Sequence, residues 1–434
     1  MMGAIPEPHH IDADDRESSG TVLSTSPPPD GGLQAWTHAA LLHIVFFNTW
    51  GVSNSFGVFQ QYYVEHLLQD NSPSSISWIG SVQTACLFAL GAAAGRATDA
   101  GYFRLVFTSG VLLQVFAIMM ASLGRNYWQL FLAHGLCLGI GNGLAFIPAM
   151  TVTSTYFSKH RAIAVGLGAS GAAFGGLIYP VLVQQLLPDN KLGFAWTLRC
   201  MGFLMLATYV PCLIWYRPRL PPRKTGPLID STAFHEPPFL FFTASFFFYF
   251  WGVYTVFFYI STFARETPGI NLPASQAGNL VTVLNGAGVV GRILPGIIAD
   301  RYTGLLNLAT PLCFISALLA YLWSQVRSAT GLYVFVVVTG IFAHAMQSLY
   351  PTISTTMAPD LSKTGTRGGM IASVVSIAVL TGPAISGALL QRGRDEGRGY
   401  LYAQVFAGTS ILLSAVLIVG ARVTRGGWRV GVKV

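Results

Sequence analysis

Charge is scarce in this sequence. Asp, Glu, Lys and Arg make up only 10% of the 434 residues, against 52% hydrophobic. A soluble domain carries roughly 25% charged residues. A chain this poor in charge cannot cover a water-facing surface, whereas a lipid-facing surface needs no such cover. Cysteine is scarce too. Cys86, Cys137, Cys200, Cys212 and Cys313 lie apart in apolar runs, odd in number and without a CxxC pair. That excludes a disulfide framework and a zinc site. There is no phosphate-cradling loop, so ATP-driven pumping is excluded. Ser, His and Asp are scattered over apolar stretches without a nucleophile motif, so no enzyme is expected, and no cofactor or metal. The net charge of +8 does not point to nucleic acid, because the basic residues sit singly or in small groups between apolar runs.

What the chain has is length of apolar sequence. Crossing the hydrocarbon core takes roughly 20 mostly apolar residues, and twelve segments qualify, the first at 36–62 and the last at 400–421. The predicted fold class is therefore an all-α membrane protein of twelve transmembrane helices. Residues 1–29 are polar, acidic and rich in Pro and Ser, with no apolar core for a secretory signal, and are expected to be a disordered tail. Six spans follow in 30–216, a Pro-rich basic linker in 217–238, six more spans in 239–421 and a tail in 422–434. Lys and Arg concentrate in the loops that share a side with the N-terminus, which puts both termini in the cytoplasm. Arg125, Lys191, Arg265, Arg327 and the Arg392–Arg398 cluster fall outside.

The two groups of six repeat one another. "FFNTWGVSN" at 46–54 returns as "FFYFWGVYT" at 247–255, an offset of 201 residues. Gly95-x-x-x-Asp99 returns at the same offset as Gly296-x-x-x-Asp300, and Phe146-Ile-Pro148 meets Leu349-Tyr-Pro351. With six helices per half, both halves start on the same side. That is a parallel repeat, two bundles related by a pseudo-twofold along the membrane normal and able to rock about a shared central site.

The loops "GRATDAGYFR" and "GIIADRYTG" resemble the cytoplasmic loop motif of the major facilitator superfamily. Small residues at Gly95 and Gly296 permit tight helix contact, and Asp99 and Asp300 suit a positive helix N-terminus. The resemblance implies that these residues, with Arg301, clamp the cytoplasmic side. Within that superfamily the chain looks like the fungal branch of the monocarboxylate porter family. Asp30-Gly31-Gly32-x-x-x-Trp36 precedes the first span, "YFSKHRAIAVGLGASGAAFGGLIYP" enters the fifth, "LNGAGVVGRILPGIIADR" forms the eighth, and "RLPPRKTGPLID" is the central loop.

Arg292 is the most informative residue. An Arg near a helix centre costs roughly 2.5–3.5 kcal/mol on insertion scales, so it must face a cavity or a partner. The resemblance implies that it binds a substrate carboxylate, for which a guanidinium fork is suited. Animal members of the family carry an Asp four residues earlier and a Lys in the first span, where this chain has Gly288 and Asn54. The vacated space suits a larger, more neutral cargo and leaves histidines as candidates for proton exchange. The other predicted binding residues are His344, Asn54, Asn285, Tyr259, Gln347, Asn142 and His134. For each of these, hydrogen bonding between helices is the alternative use. The resemblance thus implies a secondary transporter in the lipid bilayer, working by alternating access on a small-molecule substrate, an organic anion, with protons as possible partners. Export of a fungal secondary metabolite, uptake of a monocarboxylate or vitamin-like acid, and a non-transporting receptor all stay open. The expected location is the plasma membrane, with no nucleic-acid partner.

Overall fold

The computed structural model describes residues 28–71, 73–187, 192–222, 229–358, 363–429 and 432–433. All but the last two residues of the expected tail 1–29, and part of the linker 217–238, therefore lie outside the described residues. The described chain is all helical, in twelve successive segments. The first half holds α1 (Gly32–Asn54), α2 (Pro73–Ala89, continued by Gly91–Ala97), α3 (Phe103–Ala121), α4 (Tyr127–Ser154), α5 (Arg161–Leu186) and α6 (Gly193–Trp215). The second half holds α7 (Pro237–Glu266), α8 (Ala274–Ile298), α9 (Leu305–Leu322), α10 (Ala329–Thr356), α11 (Thr364–Asp395) and α12 (Leu401–Gly426). Among the described residues, ten helical runs are long and apolar enough to cross a membrane. One of them, Ser75–Ala121, is 47 residues long and holds two spans turned at Gly101, whose φ of +92 suits glycine. α1 is not among the ten, because His38, His43, Asn48 and Asn54 dilute its apolar character. Twelve crossings result, and α12 runs to Gly426, beyond the expected boundary at 421.

Within the first bundle α1 packs along α5, and within the second α7 packs along α12 and α8 along α10. Between bundles the main contacts are α2 with α11 and α5 with α8. A repeat that maps α2 onto α8 and α5 onto α11 exchanges these two contacts, so one geometry is used twice. Glycine makes the close crossings possible, as in membrane helices generally. The stripe on α5 serves two neighbours at once. A Cβ at Gly171 would collide with the His43 carbonyl of α1, and one at Gly166 would lie 2.7 Å from the Arg292 carbonyl of α8. Outside, Leu105, Leu112 and Phe116 on α3 are exposed, as a lipid-facing surface allows.

The segment joining the halves is tied down at both ends. His38 Nε2 and the Tyr156 hydroxyl meet the Arg217 carbonyl at 3.1 and 3.0 Å. Farther on, Arg367 at the start of α11 grips Glu236 with two bonds of 2.7 Å and Asp230 with one of 3.0 Å. Its guanidinium is buried, and Lys363 adds a 3.4 Å pair to Asp230. Asp30, ahead of α1, does the corresponding work in the first half. Its carboxylate accepts from the Ser158 and Lys159 amides ahead of α5. Burial alone would lift the Asp230 carboxyl, but the Thr232 hydroxyl, Arg367 and Lys363 hold it down at about 2.

Two outcomes follow. Gly171→Leu lowers the thermal unfolding midpoint of the purified protein, since forced overpacking costs about 1–3 kcal/mol or more. Gly57→Leu, where nothing lies within 4 Å, leaves the midpoint unchanged. For the ion pair, a folded pKa below the ordinary value of 3.8 gives stability that is complete above about pH 4 and is lost as pH falls toward 2. The midpoint difference between the native protein and Asp230→Asn is accordingly flat from about pH 8 to about pH 4 and closes below that.

Candidate functional site

The side of the molecule that carries the chain termini is shut. Asp99 follows α2 and sits on the first turn of α11, accepting from the Gly365 amide at 3.3 Å, the Thr366 amide at 2.8 Å and the Thr366 hydroxyl at 2.9 Å. Asp300 follows α8 and sits on the first turn of α5, accepting from the Ala162 and Ile163 amides at 3.2 and 2.8 Å. A helix N-terminus leaves its first amides unpaired and carries partial positive charge, so a carboxylate is favoured there. Glycine lets the backbones come this near. A Cβ at Gly95 would collide with the Gly365 carbonyl, and one at Gly296 would lie 2.6 Å from the Ala162 carbonyl. Arg301 is outside this clamp. It is exposed, with its guanidinium 6.0 Å from the Tyr302 ring.

Above the clamp the two bundles meet through aromatic rings. Phe88 of α2 packs edge-on against Phe250 of α7 at 5.6 Å and against Trp50 of α1 at 5.3 Å, while Phe246 stacks on Tyr350 at 4.5 Å. Beyond them a cavity of about 260 Å³ opens toward the other side. On that other side its lining comes from the last turns of α1, α5 and α7, the first turns of α8, Gly80 and Thr84 of α2 and the short helix Phe56–Tyr62.

Of the predicted binding residues, Asn54 alone lines this cavity. Its amide donates to Asn285 Oδ1 at 3.3 Å, joining α1 to α8 across the bundle interface. Arg292, His344 and Gln347 form a buried group apart from the cavity. Arg292 is 2% exposed and donates from Nη2 to Gln347 Oε1 at 3.0 Å. Among the described residues its Nε has no partner, nor do His344 Nε2 and Gln347 Nε2. No carboxylate among them pairs with Arg292. His344 is oriented by its 2.7 Å bond to the Gly340 carbonyl. Its ring fills the space a side chain at residue 288 would take, since a Cβ at Gly288 would lie 2.5 Å from His344 Nδ1. The glycine that departs from the animal pattern is thus the seat of the imidazole.

The remaining candidates are placed elsewhere. Tyr259 donates to the Pro383 carbonyl at 2.9 Å and braces α7 on α11, away from the cavity. His134 meets the Tyr63 hydroxyl at 2.8 Å among Phe56 and Phe59, inside the first bundle. Both polar groups had a local partner within reach, which removes them from the cavity. Asn142 is fully buried, with neither amide atom partnered among the described residues, and it does not line the cavity. Sequence reasoning named none of the other lining residues as binding groups, and two of those it missed stand out. Tyr254 holds the repeat position of Ser53, and both line the cavity; the tyrosine's hydroxyl is buried and unpartnered among the described residues. Arg265 had entered only as a loop charge. Among the described residues, no cluster of His, Cys, Asp and Glu is placed to hold a metal ion.

Comparison with known proteins gives a consistent result. Residues 41–383 match the family model described as Major Facilitator Superfamily. An MFS-type transporter of Gibberella zeae is 40% identical over 420 residues, 97% of this chain and 93% of that one. The Aspyridones efflux protein of Emericella nidulans is 34% identical, covering 94% of this chain and 83% of its own. The Agnestins efflux protein of Paecilomyces divaricatus is 34% identical, covering 93% and 91%. Among solved structures, a bacterial homologue of the iron transporter ferroportin, in an outward-facing state, aligns with a TM-score of 0.68 at 15% identity, over 89% of this chain and 99% of its own. The human organic anion transporter MFSD10 aligns at 0.69 and 13%, over 88% and 98%. At these identities the structures speak for the fold alone.

If the two carboxylates hold the termini side shut, Asp99→Asn with Asp300→Asn loosens it. Each contact of this kind is worth about 0.3–1 kcal/mol, up to about 2 when partly buried. In a cysteine-free background, a cysteine at buried Ala372, which faces Gly91, should react with maleimide several-fold faster in the double variant. Equal rates would remove the clamp.

Proposed function

The chain belongs to the major facilitator superfamily, and from that premise we propose that it exports an acid-bearing secondary metabolite, in the manner of a fungal monocarboxylate-porter-like carrier. It is a multi-pass membrane transporter, not an enzyme. Relatives named as efflux proteins for aspyridones and agnestins support the direction. The observation that carries the acid is Arg292. A guanidinium in a membrane interior is expensive, and among the described residues one neutral amide is its hydrogen-bond partner while Nε stays bare. A cargo carboxylate would complete that fork. Gln347 holds the guanidinium in place, and His344, with Nε2 unpartnered, is the group placed to exchange a proton with the cargo. Asn54 and Asn285 join the halves over the site and part when the bundles rock. With the termini cytoplasmic, which the Lys and Arg pattern supports, and the plasma membrane as the location, the cavity opens outward.

The test is transport of a carboxylate panel and the matching neutral amides in proteoliposomes. Hydrogen bonds to a charged group are worth about 1.5–3 kcal/mol, so Arg292→Ala should slow acids about 10- to 100-fold and leave amides alone. Arg292→Lys should retain part of the rate. Unchanged transport of every acid by both variants removes the assignment, and absence of counterflow of any acid by the native protein would make the chain a receptor.

A further inference from the structure

Arg292 does not line the cavity of the outward-open state, so an acid leaving by that route needs another partner. Among the described residues, Arg265 is the charged residue of the cavity lining. It is the penultimate residue of α7 and is exposed, and no acidic side chain among them lines the cavity with it. Its chain neighbour Glu266 is engaged elsewhere, with Arg394 and with the Tyr400 hydroxyl at 2.8 Å. Among the described residues Arg265 makes no ion pair. A cation in the last turn of a helix is stable there without an acid, because the C-terminal end of the helix carries partial negative charge.

At the other end of the lining on the same helix is Tyr254. It is 5% exposed, and its hydroxyl has no partner among the described residues. Its ring lines the wall, while the hydroxyl is turned away from the open space and lies within electrostatic reach of Arg292. A buried hydroxyl without a bond is unfavourable, so a cargo acceptor that draws it toward the cavity would complete it. The two residues are eleven positions apart, about 16 Å along the helix axis. Between them the inner part of the lining is apolar, with Phe257, Phe258 and, from α8, Val281, and Ser261 and Thr262 form the turn next to Arg265.

We infer that the outward-open cavity holds an elongated amphipathic organic anion lengthwise, its acid group on Arg265, its apolar body against Phe257, Phe258 and Val281, and a hydrogen-bond acceptor at its inner end on the Tyr254 hydroxyl. This rests on the reading that the cargo is an acid and adds a second station to it. Arg292 serves the acid in the state open to the termini, and Arg265 serves it on the way out. The cargo class narrows accordingly, because a short acid without a polar far end would leave Tyr254 bare.

The probe is 4′-hydroxybiphenyl-4-carboxylate, which has an acid at one end and an acceptor at the other, compared with its carboxamide. Binding to the full-length protein in nanodiscs, added from the outward side, is measured for the native protein and for Arg265→Gln, Arg265→Lys, Tyr254→Phe and Arg292→Gln. The native protein should favour the acid over the amide by about 10-fold or more. Arg265→Gln should erase that preference without changing amide affinity, and Arg265→Lys should restore part of it. Tyr254→Phe should weaken acid and amide alike, several-fold. Arg292→Gln should leave outward-side binding as it was. If Arg265→Gln keeps the preference, or if Arg292→Gln alone erases it, the outward station is not Arg265, while the reading of Arg292 stands. If the native protein binds acid and amide equally, or neither, the inference falls. Arg292-dependent transport of other acids would then decide the proposed function separately.

Discussion

The two halves touch on the termini side twice, and each contact is a carboxylate resting on the unpaired amides at the start of a helix from the other half. Asp99 reaches α11 and Asp300 reaches α5. Helix ends near hydrocarbon carry amides that must find an acceptor, and here the acceptor comes across the bundle interface. The contact works only at backbone range, which is why Gly95 and Gly296 stand one turn before each carboxylate. Parting the bundles on this side strips both helix starts and both carboxylates of their partners at once. The aromatic packing lies above that pair of contacts and the cavity beyond it.

With the near side held shut, the polar groups of the interior divide into two sets. One faces the open cavity and includes Asn54, Tyr254 and Arg265. The other, Arg292 with Gln347 and His344, is sealed beneath the first, and several of its polar atoms have no partner among the described residues. Buried polar atoms in a folded protein are nearly always bonded. Three of these exceptions among the described residues fall together on α8 and α10, which is what supports the proposal that cargo completes their bonds.

Much of this frame was readable from residue pattern. Six spans and six, the repeat, and the Asp99 and Asp300 positions follow from apolar length and from matches in register, because a lipid-facing helix and a tight helix crossing each leave few residue types to choose from. The individual binding residues were less readable. A polar side chain in a span either faces the central space or bonds to a neighbouring helix, and its identity does not say which. Tyr259 and His134 found local partners in Pro383 and Tyr63. Tyr254 was hidden by its company. It stands in an aromatic run of α7 with Phe257 and Phe258, and all three line the cavity. Aromatic rings in a span read as lipid-facing bulk, so only the rotation of the helix reveals that this run turns inward and that one of its members brings a hydroxyl. Arg265 was invisible for another reason, since a basic residue at a helix end already has a sufficient account in topology.

The repeat also shows where the halves had to differ. At the offset of 201, Arg292 of α8 corresponds to Gly91 of α2, and each lies against a glycine of the partner helix. A Cβ at Gly369 of α11 would collide with the Gly91 carbonyl, and one at Gly166 of α5 would lie 2.7 Å from the Arg292 carbonyl. Both crossings are close, yet one has no side chain at this position and the other has a guanidinium. Two identical crossings would give a shutter with nothing to hold. One arginine in place of a glycine puts the charge at the seam itself, where α5 covers the backbone that carries it. Asp300 and the backbone of Arg292 both rest on α5, so on the proposed rocking motion access to the charge and release of the clamp would be one event.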